Sequence, residues 1–318
     1  HEDGNSNSLS NDDVTSLYFD SHNNLWVGTA HGLNVFDLKS KTFKRFYKDP
    51  KNPQSLPHNV VTSIIEDSQQ RLWVATRGGL GMITDGMFRN FFHDPENSST
   101  LSSNRLTDMY IDKGGSLWVG TFDNGLNKMD TSFNFSRFIS QVDDLKSIGG
   151  NYVYSLSEDK MGNLWIAADG ALNKMNKKEG TFSRHFQSQT NEHSLNSNIV
   201  TKVFFDVNNR MWVGTRFGGV NIYDPGKYPF YHYKYSTYDR NSLSHNTVTS
   251  FEEDRDGNFW VATDGGSLNY FDRKSKKFTN YRDVFSSNKV LAVRKDKKGG
   301  LWIGMWAAGL NYFDPVTK

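Results

Sequence analysis

Seven closely similar phrases decide the reading of this chain: Leu25-Trp26-Val27-Gly28-Thr29, Leu72-Trp73-Val74-Ala75-Thr76, Leu117-Trp118-Val119-Gly120-Thr121, Leu164-Trp165-Ile166-Ala167-Ala168, Met211-Trp212-Val213-Gly214-Thr215, Phe259-Trp260-Val261-Ala262-Thr263 and Leu301-Trp302-Ile303-Gly304-Met305. The tryptophans are spaced 47, 45, 47, 47, 48 and 42 residues apart. A fixed period in the forties with strand-like phrases marks a repeat architecture. Working outward from Trp73, Asn59 to Asp67 is β-branched and ends in the turn Ser68-Gln69-Gln70. Leu72–Thr76 is closed by Gly78-Gly79, Leu80-Gly81-Met82-Ile83 follows, and Met87 to Phe92 comes after Asp85-Gly86. Short apolar runs bounded by Gly, Asn, Asp and Pro read as an antiparallel meander. Four strands per unit at this period is a propeller blade. No unit has apolar residues three and four apart over a useful length, so helical repeats are excluded. The expectation is an all-β fold, a single seven-bladed β-propeller of four-stranded antiparallel blades over residues 1–318, centred on the seven tryptophans.

Composition agrees. Of 318 residues, 14% are aromatic and 27 are glycine, which suits a sheet protein with tight turns. The formal net charge of +2 is too small to point to nucleic acid or an anionic membrane surface. There is no cysteine, which excludes disulfides, thiolate metal sites and a cysteine nucleophile. No apolar run approaches the ~20 residues of a membrane helix. The opening HEDGNSNSLS reads as the middle of a loop between repeats, and so as a piece of a longer protein.

Positions shared by all units should be structural. The tryptophans bury large rings between blades, and each indole N–H needs a partner there. The aspartates ahead of the second strands (Asp20, Asp67, Asp112, Asp159, Asp206, Asp254, Asp296) should cap the turn joining the first two strands. Asn59, Asn104, Asn151, Asn198, Asn246 and Asn288 mark the entries to first strands, with Asp12 in the first unit. The Ser-Leu pairs before them should tuck one apolar side chain under the loop.

Function should sit where the units differ. The turns from second to third strand carry His31, Arg77, Phe122, Asp123, Asp169, Arg216, Phe217, Asp264 and Trp306. Beside the entries to the first strands lie His58, Arg105, Tyr152, His245 and Lys289. Arginine, aspartate, histidine and exposed aromatics together have the composition of a site for a small polar molecule or a sugar. Free drift of solvated turn residues is the competing explanation. Phe217 and Trp306 stand out, since a large aromatic in a turn is costly to expose without a use.

The unit, generalised as N-x-V-x-S-x-x-x-D-x-x-G-x-L-W-V-G-T-x-x-G-L-N-x-F-D, resembles the two-component regulator propeller repeat. The resemblance spans all seven units, from Val14 to Asp314. It implies the periplasmic ligand-sensing region of a bacterial membrane receptor. In such receptors two propellers often precede an immunoglobulin-like module, a membrane helix and a histidine kinase, and others carry a diguanylate cyclase. It further implies a small-molecule ligand, commonly an oligosaccharide, with neighbouring domains of the same receptor as partners, and neither catalysis nor a cofactor or metal in this domain. A protein-interaction platform, including a homodimer, is a second reading. A third is an enzyme: a lyase like the streptogramin lyases, which share the D-x-x-G-x-L-W turns and would draw on His31, His58, His245 and Asp264, or a glycan-cleaving enzyme, which would draw on two of the carboxylates Asp123, Asp169 and Asp264. No H-E-x-x-H and no G-x-S-x-G is present. Two departures matter. Ala167-Ala168 and Met305 break the phrase, and after Phe313-Asp314 no F-x-x-F strand follows. The seventh blade is expected to have three strands here, its fourth lying beyond one of the ends.

Overall fold

The computed structural model describes residues 1–84, 86–188, 194–224 and 227–317, with the side chains of 227–230 left aside. Among the described residues there are only strands and turns. They form six four-stranded sheets and one of three strands, each a meander in chain order. This is an all-β fold, a seven-bladed β-propeller. The second blade runs Val61–Glu66, Leu72–Thr76, Gly79–Thr84 and Met87–Phe91, close to the sequence reading. The seventh has Val290–Lys295, Leu301–Met305 and Leu310–Phe313, the three strands expected.

The chain divides into two compact units, His1–Phe138 with Gly304–Leu310, and Ile139–Ile303 with Asn311–Lys318. Blades one to three (14–46, 61–91, 106–138) lie in the first unit, and blades four to six (153–185, 200–233, 248–281) in the second.

The repeated tryptophan and the repeated aspartate prove to be partners. In the third blade, Oδ1 of Asp112 accepts the amides of Gly114 (3.0 Å) and Ser116 (2.9 Å), while Oδ2 accepts the Trp118 indole at 2.8 Å. The indole bond recurs at Asp20–Trp26 (2.9 Å), Asp67–Trp73 (2.8 Å), Asp159–Trp165 (3.1 Å) and Asp206–Trp212 (3.2 Å). In the last two blades a tyrosine hydroxyl donates instead, Tyr270 to Asp254 (2.8 Å) and Tyr312 to Asp296 (3.0 Å). One carboxylate thus closes a turn and fixes a large ring that packs across the blades.

Adjacent blades within each unit are held by a second set of repeated contacts. The first strand bulges at its second residue in most blades, as at Val14/Ser16 and Val200/Lys202. The bulged threonine reaches the next blade: Thr15 donates to the Val61 carbonyl, Thr201 to Val248 and Thr249 to Val290. The small residue of the Trp-Val-Gly-Thr phrase lets the next blade approach. A Cβ on Gly28 would lie 2.6 Å from Val61 Cγ1, and one on Gly214 would lie 2.9 Å from Val248 Cγ1. In the first unit, a Cβ on Gly304 would likewise meet Val14, and the Gly309 amide donates to the Asp12 carbonyl at 2.6 Å. The loop leucines Leu56, Leu195 and Leu243 are buried, as their pairing with serine suggested. Fourth strands are pinned through their penultimate residue. Arg45, Arg137 and Arg184 donate to carbonyls of the loop ahead of their own blade's first strand.

Removing the turn carboxylate should therefore be costly. Asp112→Ala leaves two amides and a buried indole without an acceptor, and a loss of about 2–4 kcal/mol is expected in thermal or urea unfolding. Asp112→Asn keeps one acceptor and should lose less. The same groups make the fold acid-sensitive. Burial raises the pKa of Asp67 and Asp159, but hydrogen bonds from Trp73 and Arg71, and from Asn163 and Trp165, outweigh it and leave both below the usual 3.8. A depressed folded-state pKa gives stability that is present above the unfolded value and lost as pH falls through the folded one. Unfolding temperature should fall below about pH 4, and less steeply in Asp67→Asn.

Candidate functional site

In six blades the turn from second to third strand folds back on the entry to that blade's own first strand. Ala30 donates to Asp13, Arg77 to Val60, Phe122 to Arg105, Asp169 to Tyr152, Arg216 to Ile199 and Asp264 to Thr247, all backbone bonds of 2.8–3.0 Å. The turn glycine then donates onward to the next blade's entry, as in Gly32 to Asn59 (2.7 Å) and Gly219 to Asn246 (2.9 Å). The two sets of candidate residues therefore share one end of each blade. This follows from the meander: turns between second and third strands lie at the end where the first strand begins, and the aspartate turns lie at the other.

In the first unit three candidates form a contact group. The Arg105 guanidinium lies 3.8 Å from the Phe122 ring centroid and 3.4 Å from the Asp123 carboxylate. All three are exposed. His58 packs against Gly78, where a Cβ would come within 2.7 Å of it, and its Nδ1 accepts the Val60 amide at 3.0 Å. Burial, then the charges of Lys48 and Arg77, lower the His58 pKa, so its ring is neutral at pH 7. His31 is exposed and tilts against Tyr47, with ring centroids 5.7 Å apart. Trp306 is half exposed, and the following Ala307 amide donates to the Asp13 carboxylate.

In the second unit the group is built around a residue that the sequence reading passed over. Tyr152 stacks on Tyr154 at 3.9 Å between centroids, and the Arg216 guanidinium lies 5.7 Å from the Tyr154 ring. Burial raises the Tyr154 pKa, against the pull of Arg216 and with the help of Tyr152 and Asp169. Tyr154 occupies the bulge position that is threonine in most blades, and this departure from Val-Thr-Ser was the signal available. Phe217 is 74% exposed and left-handed, with φ 66°. His245 covers Gly265, and its Nδ1 accepts the Thr247 amide at 3.2 Å. Asp264 faces Lys289, 4.0 Å away.

These groups offer aromatic faces, guanidinium donors and carboxylate acceptors side by side, which is what holding a polar molecule requires. Of the residues that a lyase-like site would combine, His31 and His58 lie in the first unit and His245 and Asp264 in the second. Among the described residues, no group of three or more His, Asp or Glu is placed to hold a metal.

Phe217 carries two costs, an exposed ring and a left-handed backbone. Phe217→Gly should therefore leave stability unchanged or raise it by up to about 1 kcal/mol, and Trp306→Ala should stay within about 0.5 kcal/mol of the parent. Thermal unfolding of the two variants tests this.

The two component regulator propeller family matches five segments, residues 8–31, 55–78, 100–123, 147–170 and 242–265. Each runs from the loop ahead of a first strand to the turn after the second. No curated protein matches the sequence. Among solved structures, the chain is similar to the extracellular domain of a hybrid two component system from B. thetaiotaomicron, with 22% identity over 99% of this chain and a TM-score of 0.82. It spans 41% of that structure, so it corresponds to about two fifths of its length. It also resembles PorZ, a surface component of the type-IX secretion system of Porphyromonas gingivalis, with 18% identity, a TM-score of 0.69, and 95% of this chain against 46% of that one. Virginiamycin B lyase of Staphylococcus aureus has 12% identity and a TM-score of 0.70, with 96% of each chain covered. At these identities the likenesses show the propeller fold alone. The chain thus carries five repeats that match the two component regulator propeller family.

Proposed function

We propose that this propeller is an extracytoplasmic ligand-sensing part of a bacterial membrane signalling receptor of two-component type, in the periplasm, and that its ligand is a small polar molecule, most simply an oligosaccharide. One observation carries the reading. At the turn ends, where the seven units depart from one another, the chain retains exposed aromatics beside arginines and carboxylates, and Phe217 does so in a strained backbone. The repeat matches support the receptor context, as does the likeness to the extracellular domain of a hybrid two component system. In this reading Arg216, Tyr152 and Phe217 hold ligand in the second unit, and Arg105, Phe122 and Trp306 hold it in the first. Binding signals by favouring one arrangement of the receptor over another, and the effect is bounded by the difference in affinity between the two. Neighbouring domains of the receptor, or a second copy of it, receive that signal.

The experiment is a thermal-shift and calorimetric screen of the chain against oligosaccharides. A ligand at about 100 times its dissociation constant adds about 2.7 kcal/mol to stability, a rise of a few degrees for a body of this size. Arg216→Ala and Phe217→Ala, or Arg105→Ala and Trp306→Ala, should weaken binding at least tenfold without lowering the ligand-free unfolding temperature. Turnover of the sugar would overturn sensing in favour of catalysis. Ligand-independent association of the chain, with no shift from any sugar, would favour the interaction platform.

A further inference from the structure

The turn between third and fourth strands lies at the aspartate-turn end of each blade, opposite the candidate site, and there the fourth blade departs from the others. In five blades this turn opens on a carboxylate (Asp37, Asp130, Asp224, Asp272 and Asp314), and in the second on Thr84. The carboxylate closes the turn: Oδ1 of Asp37 accepts the amides of Lys39 (2.7 Å) and Ser40 (3.3 Å). In the fourth blade the residue is Asn176, whose Oδ1 accepts the amides of Lys178 (3.1 Å) and Glu179 (3.3 Å) in the same way. A charged acceptor is the stronger one. Asn176 therefore keeps the turn with a weaker acceptor and takes one negative charge away from this end of the blade.

The charge is missing beside a cleft of about 670 Å³ lined by Lys146, Lys174, Lys177 and Lys178, with the hydroxyl residues Thr181 and Ser183. Asn176 is itself part of the wall, and among the described residues no aspartate or glutamate is. Of the four ammonium groups, Lys177 donates to Glu158 at 2.6 Å, which leaves three without a carboxylate in the wall. Lys174 lies 5.6 Å from the Trp165 ring, and Lys146 and Lys178 are exposed. Lys146 is a departure too. The loop residue whose carbonyl accepts the amide of the fourth-strand phenylalanine is Asn7, Gln54, Ser99 and Asn241 in four other blades. The equivalent groove of the first blade has Asn7, Val35 and Asp37 at the positions of Lys146, Lys174 and Asn176. Like charges gathered round one cleft repel, and an anion seated among them relieves that repulsion.

We infer that this cleft on the fourth blade is a second binding site, for a small molecule carrying a phosphate or sulfate group. Lysine binds such oxyanions as a point charge, whereas arginine is the residue for planar, bidentate pairing. Among the described residues the wall has four lysines and no arginine. Its volume falls within the roughly 300–1,000 Å³ of small-molecule sites, so there is room for the rest of the molecule beside the anion. The site is at the other end of the blade from the proposed sugar site and does not depend on it.

Calorimetric titration of the 318-residue chain with inorganic phosphate, inorganic sulfate and acetate at about pH 8 tests the assignment, since the first two then carry about two charges and acetate one. Both dianions should bind at least fivefold more tightly than acetate, and the tighter of the two identifies the group. Lys174→Met and Lys178→Met should each weaken the dianions about fivefold, the effect of one partly screened charge. Asn176→Asp returns the carboxylate of the other blades. It should weaken them by a similar factor while leaving the unfolding temperature unchanged or higher, so that lost binding is separated from lost folding. Lys39→Met, in the first blade's groove, should leave binding unchanged. Failure of both dianions to bind, affinity no better than that of acetate, indifference to Asn176→Asp, or an equal loss in Lys39→Met would each overturn the assignment.

Discussion

The structure depends on one carboxylate used twice per blade. Its first oxygen gathers the amides of a tight turn, and its second holds an indole or a phenol in the seam between blades. Turn closure and ring placement cannot then vary independently. A blade with the turn has the ring in position, and the ring is the largest surface it offers its neighbour. That coupling lets sheets of four short strands, each too small to be stable alone, stack into larger units. It also accounts for a chain with few aliphatic residues and many aromatic ones.

Above this scaffold the departures carry the information. Threonine at the bulge ties one blade to the next, and where the fourth blade has Tyr154 that tie is exchanged for a stacked pair of rings under an arginine. The penultimate residue of the fourth strand reaches the entry loop. In four blades the residue after it is aromatic and rests on the blade's tryptophan, and in the fourth blade His185 stacks on Trp165 in its place. The lyase and secretion-component propellers share the frame at low identity, which fits a scaffold whose chemistry is set by such local exchanges.

Much of the fold was legible because seven copies of one phrase agree. Strand limits near Trp73 came within about two residues, and the buried loop leucines were readable from Ser-Leu pairs alone. The aspartate and the tryptophan were each recognised as necessary, but their bond was not, because a spacing of six residues across a turn has no helical or strand period to announce it. That the two sets of candidate residues share one end of each blade was legible, since a meander fixes which turns share an end. Contacts such as Arg105 on Phe122 depend on rotamers, which sequence does not encode. Tyr154 and His185 were passed over because they sit inside strands, where a changed side chain looks like ordinary variation until its neighbours are known.

The segment Gly304–Leu310 belongs with the start of the chain, where Gly309 and Ala307 bind Asp12 and Asp13. Contacts between successive blades close loops of about 47 residues, whereas this one closes nearly 300. The logarithmic cost of loop closure makes it about 1.6 kcal/mol harder to form. The contact of Gly304 with Val14 cannot form until that segment has been made. It is therefore a late-forming contact, made after all the strands of the first three blades have been synthesised.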